Sequence, residues 1–242
     1  MKQALCSLVL LLVLVAAWYG LFRVVGDTGL ASPTATLARL VDLLGSAPFW
    51  GHVGATGYAF GWALVFSMIG GIVLGLALGM NRTAGLVSEP ILVNLYSLPK
   101  VTLYPIVLLI FGLGAPAKVA FGVMHGLIPL CLFTMNAIIQ VKPVYLRTAG
   151  VMRLSALETA RTVILPAILP DLLTGMRLGF SLCLLGVLIG EMFASQRGLG
   201  FLAMNAMGRG DIATVLAVAL FISVVAIGAN ALLLRLGRAK HS

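Results

Sequence analysis

The chain has 242 residues, of which 61% are hydrophobic and only 10% are charged. A soluble domain carries about a quarter charged residues, and a chain of this length cannot enclose so much apolar surface in water. The composition therefore excludes an ordinary soluble domain. It predicts an all-α, polytopic membrane protein that forms a single domain.

The formal net charge is +9, with 16 Lys and Arg against 7 Asp and Glu. The basic residues stand mostly between apolar runs, where they set the orientation of a membrane protein and meet anionic lipid. We therefore expect membrane lipid rather than nucleic acid as the partner of this charge. The three cysteines, Cys6, Cys131 and Cys183, lie inside apolar runs, and the three histidines are scattered. No metal site, cofactor site or nucleophile–base set is expected.

Six apolar runs approach or exceed the ~20 residues that a helix needs to cross a bilayer. They are residues 4–24, 54–80, 90–113, 118–140, 172–194 and 212–235. The first run ends in aromatic residues and Arg23 rather than in a small-residue cleavage site, so we interpret it as a retained helix. Pro99, Lys100 and Pro105 interrupt the third run, which predicts a broken helix whose backbone faces a cavity.

Small residues recur in the second run at Gly71, Gly75 and Gly79. This spacing predicts close helix packing, either within the chain or at a subunit interface. Between the first two runs, Ser32-Pro33 predicts the start of an amphipathic helix over residues 33–45, closed by Gly45. We expect this helix to lie on the outer membrane surface.

Orientation follows from the positions of Lys and Arg. A cytoplasmic N-terminus places ten basic residues inside and five outside, with Lys100 unassigned, which favours both termini in the cytoplasm. The inner group is Lys2, Arg82, Lys142, Arg147, Arg153, Arg161, Arg177, Arg235, Arg238 and Lys240, and the outer group is Arg23, Arg39, Lys118, Arg197 and Arg209.

The cytoplasmic segment 142–171 is long for a connection between membrane helices and too apolar for a linker. Pro143 predicts a helix over residues 144–152, and Ser155-Ala156-Leu157-Glu158 matches a capping box that begins a second helix. We expect this second helix to end near Ile164, before Pro166 and Pro170. Two short helices at an angle would form a rigid knob on the membrane face.

This segment resembles the EAA loop of permease subunits of bacterial ABC importers. The resemblance lies in Arg147-Thr148-Ala149-Gly150-Val151-Met152-Arg153, in Val163-Ile164-Leu165-Pro166, and in Leu169-Pro170-Asp171 leading to Thr174-Gly175-Met176-Arg177. Two further stretches are similar to the nitrate, sulfonate and taurine branch: Ser97-Leu98-Pro99-Lys100 through Phe111-Gly112-Leu113-Gly114, and Gly198-Leu199-Gly200 through Ala206. The resemblance implies the fold of a type I ABC importer permease.

Three positions depart from the family pattern. Arg147 and Thr148 stand where the family usually has Glu and Ala, and Arg153 replaces a glycine that permits a tight bend. If this bend needs a positive φ, an arginine there costs ~1 kcal/mol or more. The reversed charge at Arg147 implies either a matching change in the partner or weaker coupling.

The resemblance implies that a cytoplasmic ABC ATPase subunit docks on this loop and that an extracytoplasmic solute-binding protein delivers substrate. It also implies a second permease subunit, in a homodimer or a heterodimer. The chain has no Walker Gly-x-x-x-x-Gly-Lys motif, so ATP hydrolysis is expected in the separate partner and the chain is not expected to be an enzyme. The expected coupling residues are Arg147, Ala149, Arg153, Ser155, Ala156, Leu157, Glu158, Leu165 and Pro166.

Four polar residues inside apolar runs are candidates for the substrate path: Lys100, Asn94, Asn136 and Glu191. Each has an alternative structural role. Lys100 can snorkel toward the interface, and the asparagines can bridge helices. Glu191 can reach headgroup water or pair with Arg197. We expect Arg177, near an inner span end, to snorkel to lipid phosphate.

The sequence predicts the permease subunit of an ATP-driven importer of a small solute, organic or inorganic anions being the class that the branch implies. The alternatives are a stand-alone secondary transporter or channel and a degenerate permease that only scaffolds others. A secondary transporter would show an internal repeat and charges near the bilayer midplane, and no convincing repeat is present.

Overall fold

A computed structural model describes residues 2–26, 29–193 and 195–238, and every regular element in these ranges is a helix. The elements in chain order are α1 (Lys2–Val25), α2 (Pro33–Leu44), α3 (Ala47–Gly79), α4 (Arg82–Ser97), a 3₁₀ turn (Lys100–Leu103), α5 (Tyr104–Phe111), α6 (Ala115–Ile139), α7 (Pro143–Val151), α8 (Ala156–Thr159), a π turn (Ala160–Ile164), α9 (Leu165–Phe193), α10 (Leu199–Gly208) and α11 (Ile212–Arg238).

Four helical stretches in the described ranges are long and apolar enough to cross a membrane: Ala47–Gly79, Ala115–Ile139, Ala160–Phe193 and Ile212–Leu234. The pair Arg82–Ser97 and Lys100–Phe111 makes a fifth crossing if it counts as one span, and it bends by 82° at the break. Within α1, Val9–Val25 is a shorter apolar stretch. The predicted break at Pro99 is confirmed, whereas the count of six spans stays a prediction.

The chain divides into two compact units, Met1–Thr56 with Gln196–Gly228 and Gly57–Ser195 with Ala229–Ser242. In the first unit, α2 begins as predicted: the Ser32 side chain accepts a hydrogen bond from Ala35 N, and Pro33 occupies the first turn. Leu37 and Val41 are 53% and 68% exposed, as an interfacial helix requires. Gly45 closes the helix in a right-handed conformation (φ −78°).

In the second unit, α6 and α9 make an extensive contact, and glycines of both helices permit it. A Cβ added at Gly122 would lie 2.6 Å from Val187 Cγ2, and one at Gly186 would lie 2.8 Å from His125 Nδ1. In lipid no hydrophobic force drives helices together. Close approach of the two backbones therefore stabilises the helix pair through dispersion contacts.

The glycine stripe of α3 packs on the same helix α6 within this unit. A Cβ at Gly71, Gly75 or Gly79 would come within 3.0 Å of an atom of the facing turn of α6. All three glycines are buried. The predicted packing role is therefore confirmed, and the contact lies within the chain.

The prediction that Pro166 and Pro170 end the second loop helix is wrong. Helical structure runs from Ala156 through the π turn into α9, with Pro170 inside α9. At the end of the π turn, Leu165 N bonds to Ala160 O, five residues back. A π turn is wider than an α turn, and this leaves room for the ring of Pro166, which lacks the N–H that an α-helix would need. The helix predicted for span five therefore begins before Leu172.

Candidate functional site: the coupling segment and the buried polar groups

The predicted coupling loop, residues 142–171, contains a sharp corner after α7. Leu154 N bonds to Ala149 O (3.1 Å) and Arg153 N bonds to Gly150 O (3.0 Å), which is the hydrogen-bond pattern of a Schellman motif. Arg153 occupies the left-handed position of this motif with φ 55° and is the one residue other than glycine with a positive φ in the described ranges. The predicted positive-φ bend is confirmed, and it is built on an arginine.

The predicted capping box follows the corner. The Glu158 carboxylate accepts hydrogen bonds from Ser155 N (2.8 Å) and Ser155 Oγ (2.7 Å), while Glu158 N donates to Ser155 Oγ (3.3 Å). The Ser155 hydroxyl and backbone amide, bonded to the ionised form, lower the pKa of Glu158 from its usual value. The start of the second helix is therefore fixed by reciprocal bonds.

Apolar side chains project from this corner instead of packing against the chain. Val151 is 85% exposed and Met152 is 65% exposed, whereas Ala149 is buried. Arg147 and Leu165 are exposed as well. The side chains of the predicted coupling residues Ala156 and Leu157 lie outside the described part of the structure. The corner thus presents an apolar surface next to exposed basic side chains.

Two side chains of opposite charge meet in the core of the second unit. They lie near the start of α6 and the end of α9, far along α9 from the corner. Lys118 Nζ lies 3.6 Å from Glu191 Oε1, and their side chains are 7% and 0% exposed. On the turn beside Glu191, the Tyr104 hydroxyl donates to Gly190 O at 2.6 Å. Glu191 is therefore buried in protein, contrary to the expectation that it reaches headgroup water. The predicted pairing with Arg197 stays a prediction.

Lys100 is buried at the break between α4 and the 3₁₀ turn. Its ammonium donates to Tyr96 O at 2.8 Å and lies 5.0 Å from the centroid of the Tyr96 ring. Lys100 therefore turns back onto the end of α4 and does not extend along the span toward an interface. Its charge also acts electrostatically on His125 of α6.

The two asparagines differ in environment. Asn136 Nδ2 donates to Glu89 Oε1 (3.2 Å) and joins α6 to α4, which confirms the predicted bridging. Asn94 is exposed, and no side-chain hydrogen bond of Asn94 is found among the described residues. Arg177 Nε donates to Asn230 Oδ1 at 3.0 Å within the second unit, and the expected contact of Arg177 with lipid phosphate stays a prediction.

In the first unit, side chains of α3 hold the Gly198-Leu199 motif. Gly198 N donates to His52 Nδ1 (3.1 Å) and Leu199 N donates to Thr56 Oγ1 (2.8 Å). Gly198 has φ 124°, a conformation that residues with a Cβ rarely adopt, and this explains the glycine before α10.

Helix α2 is fastened to the start of α11 in the same unit. Arg39 Nε donates to Thr214 Oγ1 (2.7 Å), and Arg39 Nη2 lies 3.6 Å from Asp211 Oδ2. Desolvation raises the pKa of Asp211, but hydrogen bonds from Thr214 and the charges of Arg39 and Arg209 outweigh it, so that the pKa is lowered overall.

The sequence analysis identified most of the polar residues that make these contacts, but it did not identify their partners. The sequence analysis places Lys118 on the outer side of the membrane and Glu191 near the outer end of the next span. Because the two residues lie at similar depth on antiparallel spans, their pairing could have been predicted. Glu89, Asn230 and Thr214 carried no signal, since single polar residues in apolar runs do not reveal which helix they face. No group of three or more His, Cys, Asp or Glu side chains suited to a metal ion occurs in the described ranges.

Long apolar helices, one broken span and a buried ion pair are the features of a helical membrane protein. A family model described as "Binding-protein-dependent transport system inner membrane component" matches residues 67–241, more than half of the chain, and the protein belongs to this family. Its members are permease subunits of ABC importers of the inner membrane and are not enzymes themselves. The family implies ATPase and solute-binding-protein partners.

Curated relatives agree with this assignment. The chain is 28% identical to the taurine transport system permease protein TauC of Escherichia coli (strain K12) over 212 residues, 85% of this chain and 77% of that protein. It is 27% identical to the putative aliphatic sulfonates transport permease protein SsuC of Bacillus subtilis (strain 168), over 83% of this chain and 73% of that protein. It is 24% identical to the nitrate import permease protein NrtB of Synechococcus elongatus, over 98% of this chain and 90% of that protein. These relatives support the importer interpretation over a stand-alone transporter.

Proposed function

We propose that this permease imports a small anion and that segment 142–171 couples its membrane helices to the ATPase. The names of the relatives, which concern taurine, aliphatic sulfonates and nitrate, support the substrate class. The observation that carries the coupling proposal is the preformed corner: a Schellman motif at Arg153, a capping box at Ser155 and Glu158, and exposed Val151 and Met152.

The corner is suited to docking because its shape is fixed before a partner arrives. A preorganised surface loses little conformational entropy on binding, and exposed Val151 and Met152 offer apolar area that a groove on the ATPase can bury. The exposed Arg147 adds a positive charge beside this area, which favours a groove with an acidic rim.

Movement of the corner can pass into the membrane through one continuous helix. Helical structure from Ala156 to Phe193 joins the capping box to Glu191 without a loop. In this proposal, closure of the ATPase dimer displaces the corner, and the helix carries that displacement to its packed contact with α6. Such coupling needs contacts that differ between the two states of the ATPase.

Two permease subunits enclose the path in this proposal, with both termini in the cytoplasm and α2 on the outer membrane surface. The path residues are then Lys100, Asn94, Asn136 and Glu191. Native mass spectrometry of the assembled complex will distinguish a second copy of this chain from a different permease. Protease accessibility of a tag added after Ser242 in sealed vesicles tests the orientation.

The coupling proposal is tested by placing a charge on the corner. Met152→Asp in the complex with the ATPase and the binding protein is expected to lower substrate-stimulated ATP hydrolysis at least tenfold and to weaken co-purification, since a desolvated carboxylate opposes docking. Leu157→Asp is expected to act in the same way.

Thr83→Asp is the matched control for this experiment. Thr83 is exposed in the first turn of α4, on the same predicted side of the membrane, where a negative charge suits the helix dipole. This variant is expected to keep wild-type hydrolysis and co-purification. Unchanged hydrolysis and co-purification in both corner variants would overturn the coupling proposal.

A further inference from the structure

The second unit contains two buried lysines, and only one of them has an acidic partner. Lys100 and Lys118 are 8% and 5% exposed. Lys118 pairs with Glu191 at 3.6 Å, whereas no carboxylate of the described ranges lies within 4.0 Å of Lys100 Nζ. The two lysines therefore differ in how their charge is balanced.

The groups that do contact Lys100 carry no net charge. Tyr96 supplies its backbone carbonyl and the face of its ring, and Tyr96 stands in the last turn of α4, where the helix dipole is negative. These contacts orient the ammonium and stabilise it in part. A dipole and a quadrupole leave the positive charge uncancelled, and a buried charge is costly without an opposite charge.

The neighbouring helix α6 does not supply the missing charge. Helix α6 contains no Asp or Glu, and Lys100 acts electrostatically on its His125. His125 Nδ1 lies 2.9 Å from Phe121 O, and because a carbonyl can only accept, Nδ1 carries the proton of the neutral ring. His125 is thus neutral or, if protonated again, a further cation.

The buried charged side chains of the described ranges sum to one excess positive charge. They are Lys100, Lys118 and Glu191, with His125 neutral. Glu191 faces Lys118 and acts electrostatically on Tyr104 of α5, whose hydroxyl bonds to Gly190 O. Of the two lysines, Lys100 is the one at the break in the span, flanked by exposed Leu98, Pro99 and Val101.

We infer that Lys100 is the anion-recognising residue of the translocation path and that it binds a small solute bearing one negative charge. The inference rests on the proposed function, since it assumes that this chain lines a path for a small solute. The negative group binds against the Lys100 ammonium at the break between α4 and the 3₁₀ turn, and the single excess charge is then balanced. The exposed residues on both sides of Lys100 give the solute its approach.

The test compares two nearly isosteric ligands that differ in charge. Methanesulfonate is a monoanion, and dimethyl sulfone is neutral and of similar size. Saturation-transfer NMR on the full-length permease in nanodiscs detects weak binding of either ligand. Wild type is expected to bind methanesulfonate at least tenfold more strongly than dimethyl sulfone. Equal binding of the two ligands would overturn the inference without any variant.

Two variants separate the buried charge of Lys100 from the general positive charge of the chain. Lys100→Gln is expected to weaken methanesulfonate binding at least tenfold. Arg82→Gln removes an exposed positive charge at the other end of α4 and is expected to weaken it less than threefold. Circular dichroism and size exclusion identify folded samples. A folded Lys100→Gln variant that binds methanesulfonate as wild type does would contradict the inference.

The outcomes are distinguishable from those of the coupling test. If methanesulfonate binding does not depend on Lys100 while Met152→Asp uncouples ATP hydrolysis, the role of Lys100 is overturned and the importer proposal stands. If the wild-type chain binds methanesulfonate through Lys100 but associates with no ATPase, the coupling proposal fails and the anion site stands.

Discussion

Lys118 and Glu191 face each other across α6 and α9, with 3.6 Å between Nζ and Oε1 and with almost no exposure of either side chain. The pair joins two helices of the second unit that are in extensive contact. Because a buried charge without its counter-charge is far less stable than a buried pair, this relationship makes the two residues interdependent.

We expect Glu191→Leu to destabilise the chain by about 3–5 kcal/mol, because Lys118 then keeps a buried charge without the Glu191 carboxylate. The double variant Lys118→Met/Glu191→Leu is expected to cost much less, since both charges are gone. Thermal unfolding of the purified chain in one detergent measures both effects. A double variant as unstable as Glu191→Leu would show that the pair is not the cause.

The glycine stripe of α3 gives a second prediction. A Cβ at Gly75 would lie 2.5 Å from Thr134 Cβ and 2.8 Å from Cys131 O, so we expect Gly75→Ala to destabilise by about 1–3 kcal/mol through overpacking. Gly61, on the same helix, has no neighbouring atom within 4 Å, and Gly61→Ala is expected to stabilise by roughly 0.5–1 kcal/mol. Equal melting temperatures for the two variants would contradict the packing argument.

Arg153 gives a third prediction, because it holds a conformation that suits glycine. At φ 55°, Arg153→Gly is expected to stabilise the corner by about 1 kcal/mol. The matched change Arg147→Gly, in the right-handed helix α7, is expected to destabilise by about 1 kcal/mol. Hydrogen exchange of the amides of residues 149–155 reads the local stability, and slower exchange is expected in the first variant and faster exchange in the second.

The capping box gives a fourth prediction, on pH. The pKa of Glu158 is lowered by its hydrogen bonds with Ser155, so in the unfolded chain the carboxyl has a higher pKa, near the usual value of about 4.3. Its contribution to local stability is therefore fully present above that pH and is lost as the pH falls through the lowered folded-state pKa. Ser155→Ala is expected to weaken the cap and to reduce this dependence, because the hydroxyl is lost while the backbone amide of residue 155 can still donate to the carboxylate.

Hydrogen exchange of residues 156–164, corrected for the intrinsic effect of pH, measures the loss. Glu158→Gln is the control, because its side chain does not titrate and its protection is expected to stay constant across the same window. A wild-type segment whose protection is the same at pH 3 and pH 7 would contradict a role for the ionised carboxylate.

Local rules predicted the features that depend on a few consecutive residues. The N-cap at Ser32, the start of α7 at Pro143, the break at Pro99 and the capping box at Ser155 are all found where the sequence predicts them. Each is decided by hydrogen bonds or ring geometry within about one helical turn. The failure at Pro166 is the instructive exception: a π turn, which depends on how the helix packs, let the chain continue through a residue that ends most helices.

Pairing between distant residues was beyond the reach of the same rules. Asn136 was expected to bridge helices, but nothing in the sequence named Glu89 as its partner, and nothing named Asn230 as a partner of Arg177. Rotation of a helix about its axis by half a turn changes every such partner and leaves the hydropathy unchanged.

Composition and short motifs by themselves determined that this chain is a helical membrane protein and where α2, α7, α8 and α11 begin, and the family resemblance supplied the bend at Arg153. Those properties follow from the cost of exposing apolar area to water and of leaving backbone groups unbonded in lipid, and both costs are local to a segment. The tertiary structure alone decided which buried lysine has a counter-charge, because that depends on which faces of α6, α9 and the broken span meet.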